Sequence, residues 1–308
     1  MSSAMKEEDE VMLCASCGKA EIDDIKLKKC TACHLVRYCS VKCQRDHRPK
    51  HKKECNKRAA ELKDELLFKQ PQSSHFGDCP LCCVPLSLDK EKSAMYTCCS
   101  KHICQGCDLT NQFRELDGRL QRKCPFCRKD LPKTQDESTE RLMKRVEAND
   151  PVAIRELGVT RAMEGDYESA FEYYSKALAL GDADAHYHLS MLYYKGQGVE
   201  KNEKKFLHHT EQAAIGGHPE ARHNLGSLEK SNGRIDRAVK HYVIAAKLGF
   251  DQSLEAVKNR YKDGHVSKED FTAALRGHHA AIAATKSPQR EEAAEFKKRL
   301  VDRERRGI

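Results

Sequence analysis

Residues 177–226 read ALALGDADAHYHLSMLYYKGQGVEKNEKKFLHHTEQAAIGGHPEARHNLG, and within this stretch the chain repeats itself. Superposing Gly181 on Gly217, and both on Gly249 further along, brings Ala177, Ala213 and Ala245 into one column and Ala185, Ala221 and Ser253 into another. Leu157, Leu189, Leu225 and Val257 share a third column, followed by Gly158, Ser190 and Gly226 in a fourth. The steps are 32, 36 and 32 residues, the longer one absorbing the GQGVEKNE loop. A period in the thirties, with alanines, leucines and loop glycines, is the pattern of stacked helix pairs, because one amphipathic pair cannot bury its apolar face alone. Small side chains such as Ala177 and Gly158 let helices approach, while Tyr174, Leu207, Val239 and Tyr242 fill the layers. The column glycines suit the left-handed backbone that closes a helix. This spacing predicts an all-α solenoid over residues 151–285.

The first part of the chain has another texture. All 16 cysteines lie between Cys14 and Cys127, and the remaining residues of the 308 have none. With 39% hydrophobic residues against 33% charged, the chain has enough apolar content for several modest modules, which excludes a wholly disordered protein. No run of about 18 apolar residues is present, and the opening MSSAMKEEDEVM carries acids where a secretory leader carries apolar residues. An intracellular protein of the cytoplasm or nucleus is expected, with no membrane partner. In such a reducing compartment dense cysteines hold metal rather than form disulfides.

The organisation follows from where the pattern changes. Residues 1–12 are polar and expected to be disordered, and 13–56 hold a first cysteine cluster. Residues 57–77 form a connecting helix and linker, with Leu62, Leu66 and Leu67 at helical spacing before Pro71. A second cluster occupies 78–131, a charged, proline-bounded linker 132–150, and a charged C-terminal helix or tail 286–308, anchored by Phe296, Leu300 and Val301. The expected fold class is therefore multidomain: two small zinc-stabilised α+β modules followed by an all-α solenoid of helix pairs.

The first cluster is Cys14-x2-Cys17, Cys30-x2-Cys33, Cys39-x3-Cys43 and His51-x3-Cys55. Zinc takes four sulfur or nitrogen ligands in a tetrahedron, so eight ligands in four short pairs suit two ions. His51 and Cys55, four residues apart, share one face of a helix. The second cluster is Cys79-Pro-Leu-Cys82, Cys98-Cys99, Cys104-x2-Cys107 and Cys124-Pro-Phe-Cys127, again two ions' worth of ligands. About four Zn2+ per chain are expected. Cys83 has no evident metal partner and reads as a small packing residue.

On these residues the first cluster resembles the MYND-type zinc finger. The resemblance implies that Cys14, Cys17, Cys39 and Cys43 hold one ion and Cys30, Cys33, His51 and Cys55 the other, and that the finger binds proline-containing peptides. Gln44 matches the glutamine after the sixth ligand, but Arg48 stands where an aromatic residue is usual. The second cluster resembles the RING finger, which implies that Cys79, Cys82, Cys104 and Cys107 bind one ion while Cys124 and Cys127 share the second with two central ligands. The usual central histidine falls on Lys101. Either Cys98 joins Cys99 or His102 serves one residue out of register, and the all-cysteine choice is preferred. The same resemblance implies recruitment of a ubiquitin-conjugating enzyme, with Leu81, Pro125 and Arg128 as contacts, making the chain a candidate RING-type E3 ubiquitin ligase. The repeats, above all LYYKGQGVEKN at 192–202, resemble the Sel1-like subclass of tetratricopeptide-type repeats, which implies a surface for proteins or peptides.

Other chemistries fare less well. Lys42 to Arg58 holds eight lysines or arginines against Asp46 and Glu54, yet only Tyr38 is near for base stacking, so a solvated face is expected rather than nucleic-acid contact. Phosphate-binding glycine loops, GxSxG and HExxH are absent from the sequence. His208-His209 and His278-His279 read as surface histidines. Fifteen thiolates carrying four zinc ions change the formal +8 by −15 and +8, leaving the metallated chain near +1. The competing function is a non-enzymatic scaffold whose fingers and repeats only bind proteins.

Overall fold

The computed structural model describes residues 12–22, 24–118 and 120–306, so the expectation of disorder at 1–12 lies almost wholly outside the described residues, as do the last two positions. The chain forms two compact units, Met1–Lys69 and Gln70–Ile308.

In the first unit, β1 (Lys28–Lys29) and β2 (Arg37–Tyr38) pair antiparallel, Lys28 opposite Tyr38, and lead into helix α1 (Val41–Leu67). Ser40 caps α1, its Oγ accepting from Cys43 N at 3.2 Å. The buried core is Cys14, Leu27, Cys30, Cys33 and Tyr38, too little apolar surface to hold a module without metal. The expected boundary at 56 and 57 falls inside a continuous helix: Pro49 sits within α1, and nothing between His51 and Leu67 breaks it.

The second unit opens with a finger. Strands β3 (Ser93–Tyr96) and β4 (Lys101–Cys104) form a hairpin in register from Ser93–Cys104 to Tyr96–Lys101. Helix α2 (Gln105–Asp117) follows at once. Cys79, Leu86, Tyr96, Cys98, Ile103, Cys104 and Cys124 make the finger's core. The segment expected to be a linker is instead helix α3 (Gln135–Glu147). Thr134 Oγ1 accepts from Glu137 N at 3.2 Å, half of a capping box, and Leu142 and Val146, one turn apart, are buried in the core of the first repeat.

Helix pairs then stack: α4 (Pro151–Met163) with α5 (Tyr167–Ala179), α6 (Ala185–Lys195) with α7 (Glu203–Ile215), α8 (Pro219–Ser231) with α9 (Ile235–Lys247), and α10 (Asp251–Lys262) with α11 (Lys268–Ala284). Every member of the leucine column is buried, as are the alanine columns and Ser253. Gly158 and Gly226 explain themselves by contact: a Cβ would stand 2.7 Å from the ring of Tyr174 in one case and Tyr242 in the other. Gly181, Gly217 and Gly249 all take positive φ, 95°, 87° and 91°.

The finger is seated on this solenoid. Gly217 O accepts from His75 N at 3.2 Å, and Ile244 O accepts from Gln70 Nε2 at 3.4 Å. The rings of His75, His218 and Tyr187 stack in turn, each step 4.0 Å. Met95 packs against the first repeat's core. A cleft of about 420 Å³ separates Lys90, Met95 and His102 of the finger from Arg155, Asp184 and His218 of the repeats, so the chain itself fills part of the repeat face. Helix α12 (Pro288–Arg306) returns to pack along α2.

Candidate metal centres and an adjoining groove

Four sets of side chains converge. In each of Cys14, Cys17, Cys39, Cys43; Cys30, Cys33, His51, Cys55; Cys79, Cys82, Cys104, Cys107; and Cys98, Cys99, Cys124, Cys127, the ligand atoms lie within 4.8 Å of one another. A tetrahedral ion with zinc–sulfur bonds of about 2.3 Å has sulfur–sulfur edges of about 3.8 Å. The Sγ separations fit that frame: Cys17–Cys39 3.6 Å, Cys30–Cys55 3.7 Å, Cys82–Cys104 3.8 Å, Cys99–Cys124 3.8 Å and Cys98–Cys127 3.4 Å. His51 turns Nε2 to 3.2 Å from Cys33 Sγ. Each set has the size and chemistry of a zinc site.

One backbone device builds the four Cys-x2-Cys knuckles that end at Cys17, Cys33, Cys82 and Cys127. The following residue, Gly18, His34, Cys83 or Arg128, adopts positive φ (72°, 60°, 55°, 62°). Its N–H returns to the carbonyl of the first cysteine, at 2.9 to 3.0 Å in every case. Cys83 is therefore not the packing residue expected; it is exposed and occupies a left-handed turn position. Backbone amides also point at sulfur, as from Cys107 to Cys104 (3.5 Å) and Cys127 to Cys124 (3.4 Å). Hydrogen bonding from Cys104, with backbone amides and against burial, draws the Cys79 thiol down to about 4, while the same pairing pushes Cys104 up. The third set thus begins with thiolate character that a cation can complete by displacing the remaining protons.

Cys98 stands with Cys99 in the fourth set, whereas His102 lies beside Phe76, ring centroids 6.4 Å apart, and lines the cleft toward the repeats. Burial lowers the His102 pKa. A cleft of about 480 Å³ beside Cys98 is lined by Lys123, Arg128, Lys129, Arg141, Lys144 and Arg145 together with Asp130.

The third set adjoins a small groove of about 200 Å³ lined by Leu81, Cys107, Thr110, Asn111, Arg114, Pro125 and Gln289. Leu81 is 39% exposed and Phe126, beside Pro125, 43%. Arg128 bends back to α2: Nη1 donates to Asn111 Oδ1 at 2.9 Å and Nη2 lies 3.5 Å from the buried Glu115. Sequence reading missed Asn111 and Glu115, which also bind Lys123 O and Lys123 N and so tie the last knuckle to the helix. Phe126 was visible in the CPFC knuckle. The histidine pairs differ from expectation: His278 is buried, Nε2 2.8 Å from Asp251 Oδ1, and His209 stacks on Tyr193 with Nδ1 2.8 Å from that of His186. Repeat packing buries His278 and half-buries His209.

Residues 14–55 match the MYND finger family. Residues 153–182, 183–218 and 219–250 each match the Sel1 repeat, in step with the three pairs α4–α5, α6–α7 and α8–α9. A zinc-finger family match and four convergent ligand sets together give the chain about four zinc sites. Among curated proteins, the chain is 32% identical over 107 residues to the uncharacterized protein NMB1327 of Neisseria meningitidis serogroup B, covering 33% of this chain and 22% of that protein. It is 41% identical over 56 residues to the beta-lactamase-named HcpC of Helicobacter pylori, covering 18% and 19%. The aligned segments span only about a fifth of either relative. A solved Sel1 repeat protein from Oxalobacter formigenes superposes with TM-score 0.42 at 17% identity, over 63% of this chain and 86% of that one. The antigen c5321 of uropathogenic Escherichia coli gives 0.39 at 21%, over 55% and 37%.

Proposed function

We propose that residues 78–131 act as a RING-type module that recruits a ubiquitin-conjugating enzyme, while the MYND finger and the repeats recruit other proteins. In this reading the sixteen converging side chains are the zinc ligands, and the protein works in a reducing compartment, cytoplasm or nucleus. One observation carries the reading: the third and fourth ligand sets alternate along the chain, Cys79 and Cys82, then Cys98 and Cys99, then Cys104 and Cys107, then Cys124 and Cys127. That interleaving places Leu81 and Pro125, from knuckles of different sets, on the lining of one groove. The module itself supplies no nucleophile. It holds the conjugating enzyme so that a substrate lysine amine attacks the thioester carbonyl, forming the C–N bond as the C–S bond breaks and the thiol leaves. Arg128, braced by the buried Glu115, reaches the groove through its hydrogen bond to Asn111, a residue of the groove's lining.

A scaffold without ligase activity is favoured by one feature, the polar lining that Asn111 and Arg114 give the groove. Discharge of ubiquitin from a panel of loaded conjugating enzymes by the purified full chain separates the two. The ligase reading expects discharge that Leu81→Ala lowers at least tenfold and Arg128→Ala lowers as well. Absence of discharge across the panel, or indifference to Leu81→Ala, leaves the scaffold.

A further inference from the structure

We infer that helix α12 is a strap that limits access to the Leu81–Pro125 groove and must lift for a conjugating enzyme to dock; the inference rests on the ligase reading above. The contact begins at the first turn of α12, where Gln289 supplies a wall of the groove itself. The next residue is the anchor. Arg290 Nη1 donates to Pro85 O at 2.6 Å and to Thr285 O at 2.8 Å, while Nη2 donates to Val84 O at 2.8 Å and approaches Cys82 Sγ at 3.4 Å. One guanidinium therefore grips the knuckle that carries Leu81. Close approach is permitted by Gly106, where a Cβ would lie 2.9 Å from Arg290 N. Further along, Phe296 meets Phe113 of α2 edge to face at 5.2 Å, and Lys297 pairs with Glu91 at 3.4 Å.

Size decides what this contact does. Even a weak protein interface buries on the order of 500 Å² on each partner, far more than the mouth of a groove of about 200 Å³. An enzyme touching Leu81 and Pro125 must spread over the ground around them, and the first turn of α12 occupies part of that ground. The strap is also built to come away. Ala293 is its buried apolar residue, Phe296 makes one aromatic pair, and Leu300 and Val301 remain 44% and 38% exposed. A helix held by one arginine, one aromatic pair and one exposed ion pair, with so little apolar burial, belongs to the low-stability end of a fold, where local opening is cheapest.

The test compares the full chain with its Arg290→Ala/Phe296→Ala variant in two measurements: hydrogen exchange of the α12 amides, and single-turnover discharge of ubiquitin from the same loaded conjugating enzyme. The strap requires faster exchange in α12 together with a discharge rate at least fivefold higher. Faster exchange with an unchanged or lower rate overturns the gating role and leaves the ligase reading intact. Unchanged exchange overturns the assignment of Arg290 and Phe296 as the hold. If neither protein discharges any enzyme of the panel, the ligase reading itself fails and the strap falls with it.

Discussion

Replacing Cys98 by serine tests the least orthodox part of the metal chemistry. Cys98 Sγ is 3.4 Å from Cys127 Sγ and shares a ligand set with Cys99 and Cys124, while His102 turns toward the repeats. A structural zinc site is worth about 10–16 kcal/mol for four ligands, so one thiolate accounts for about 3 kcal/mol. That corresponds to a loss of roughly a hundredfold in affinity at this site alone. Serine keeps the volume of the side chain but not the thiolate, so packing is little disturbed. The assay is zinc content of the purified full chain, followed by competition against a chromophoric chelator. Wild type should hold four ions tightly; Cys98→Ser should hold three, with the fourth about a hundredfold weaker; His102→Ala should match wild type. Loss of an ion in His102→Ala with none in Cys98→Ser would refute the all-thiolate site.

Other consequences can be measured independently. Gly226→Ala puts a methyl 2.7 Å from the Tyr242 ring; overpacking of about 1–3 kcal/mol should outweigh the helix-propensity gain of about 1 kcal/mol, so chemical denaturation should show a less stable chain, and a more stable one would contradict the packing. Cys83→Gly relieves a left-handed residue at φ 55° and should stabilise the finger by about 1 kcal/mol, read as slower zinc loss to chelator. Burial, reinforced by Arg155, depresses His75 and His188 to about 3, so both stay neutral in the folded chain while unfolded imidazoles protonate below about 6.5. Their contribution is complete above that pH and lost as pH falls toward 3; at pH 5 each costs about 2 kcal/mol, and urea unfolding of His188→Gln should lose correspondingly less stability between pH 7.5 and 5 than wild type. Zinc chelation should unfold the first unit, whose core is largely cysteine, while the cysteine-free cores of the repeats keep most of the helical circular dichroism. Collapse of the whole helical signal would show that the repeats depend on metal.

What could be read from the sequence was what local chemistry dictates. Leu157, Leu189, Leu225 and Val257 repeat because every helix pair meets the same neighbours, and all four are buried. Cysteine spacing is equally local, since a knuckle needs its two ligands within one turn. The parts that escaped depend on partners distant in sequence. Leu142 and Val146 look isolated in a charged segment until the first repeat is placed against them, although Thr134 and Glu137 already marked a helix start. Arg290 is one cation among many in the C-terminal helix, and only the fold brings it to the carbonyls of Val84 and Pro85. Pro49 lies inside α1, where a single missing amide does not end the helix that carries His51 and Cys55.

The finger of the second unit is held from three directions: by Gln70 and His75 on one side, by α3 running from it into the first repeat's core, and by α12 returning from the far end of the chain. A module on a flexible leash samples a sphere of positions, and its effective concentration at any one point is diluted accordingly. Three attachments remove that swivel. Anything captured on the open part of the repeats meets the finger at a fixed distance and angle, so reach rather than affinity sorts which of its side chains come within range.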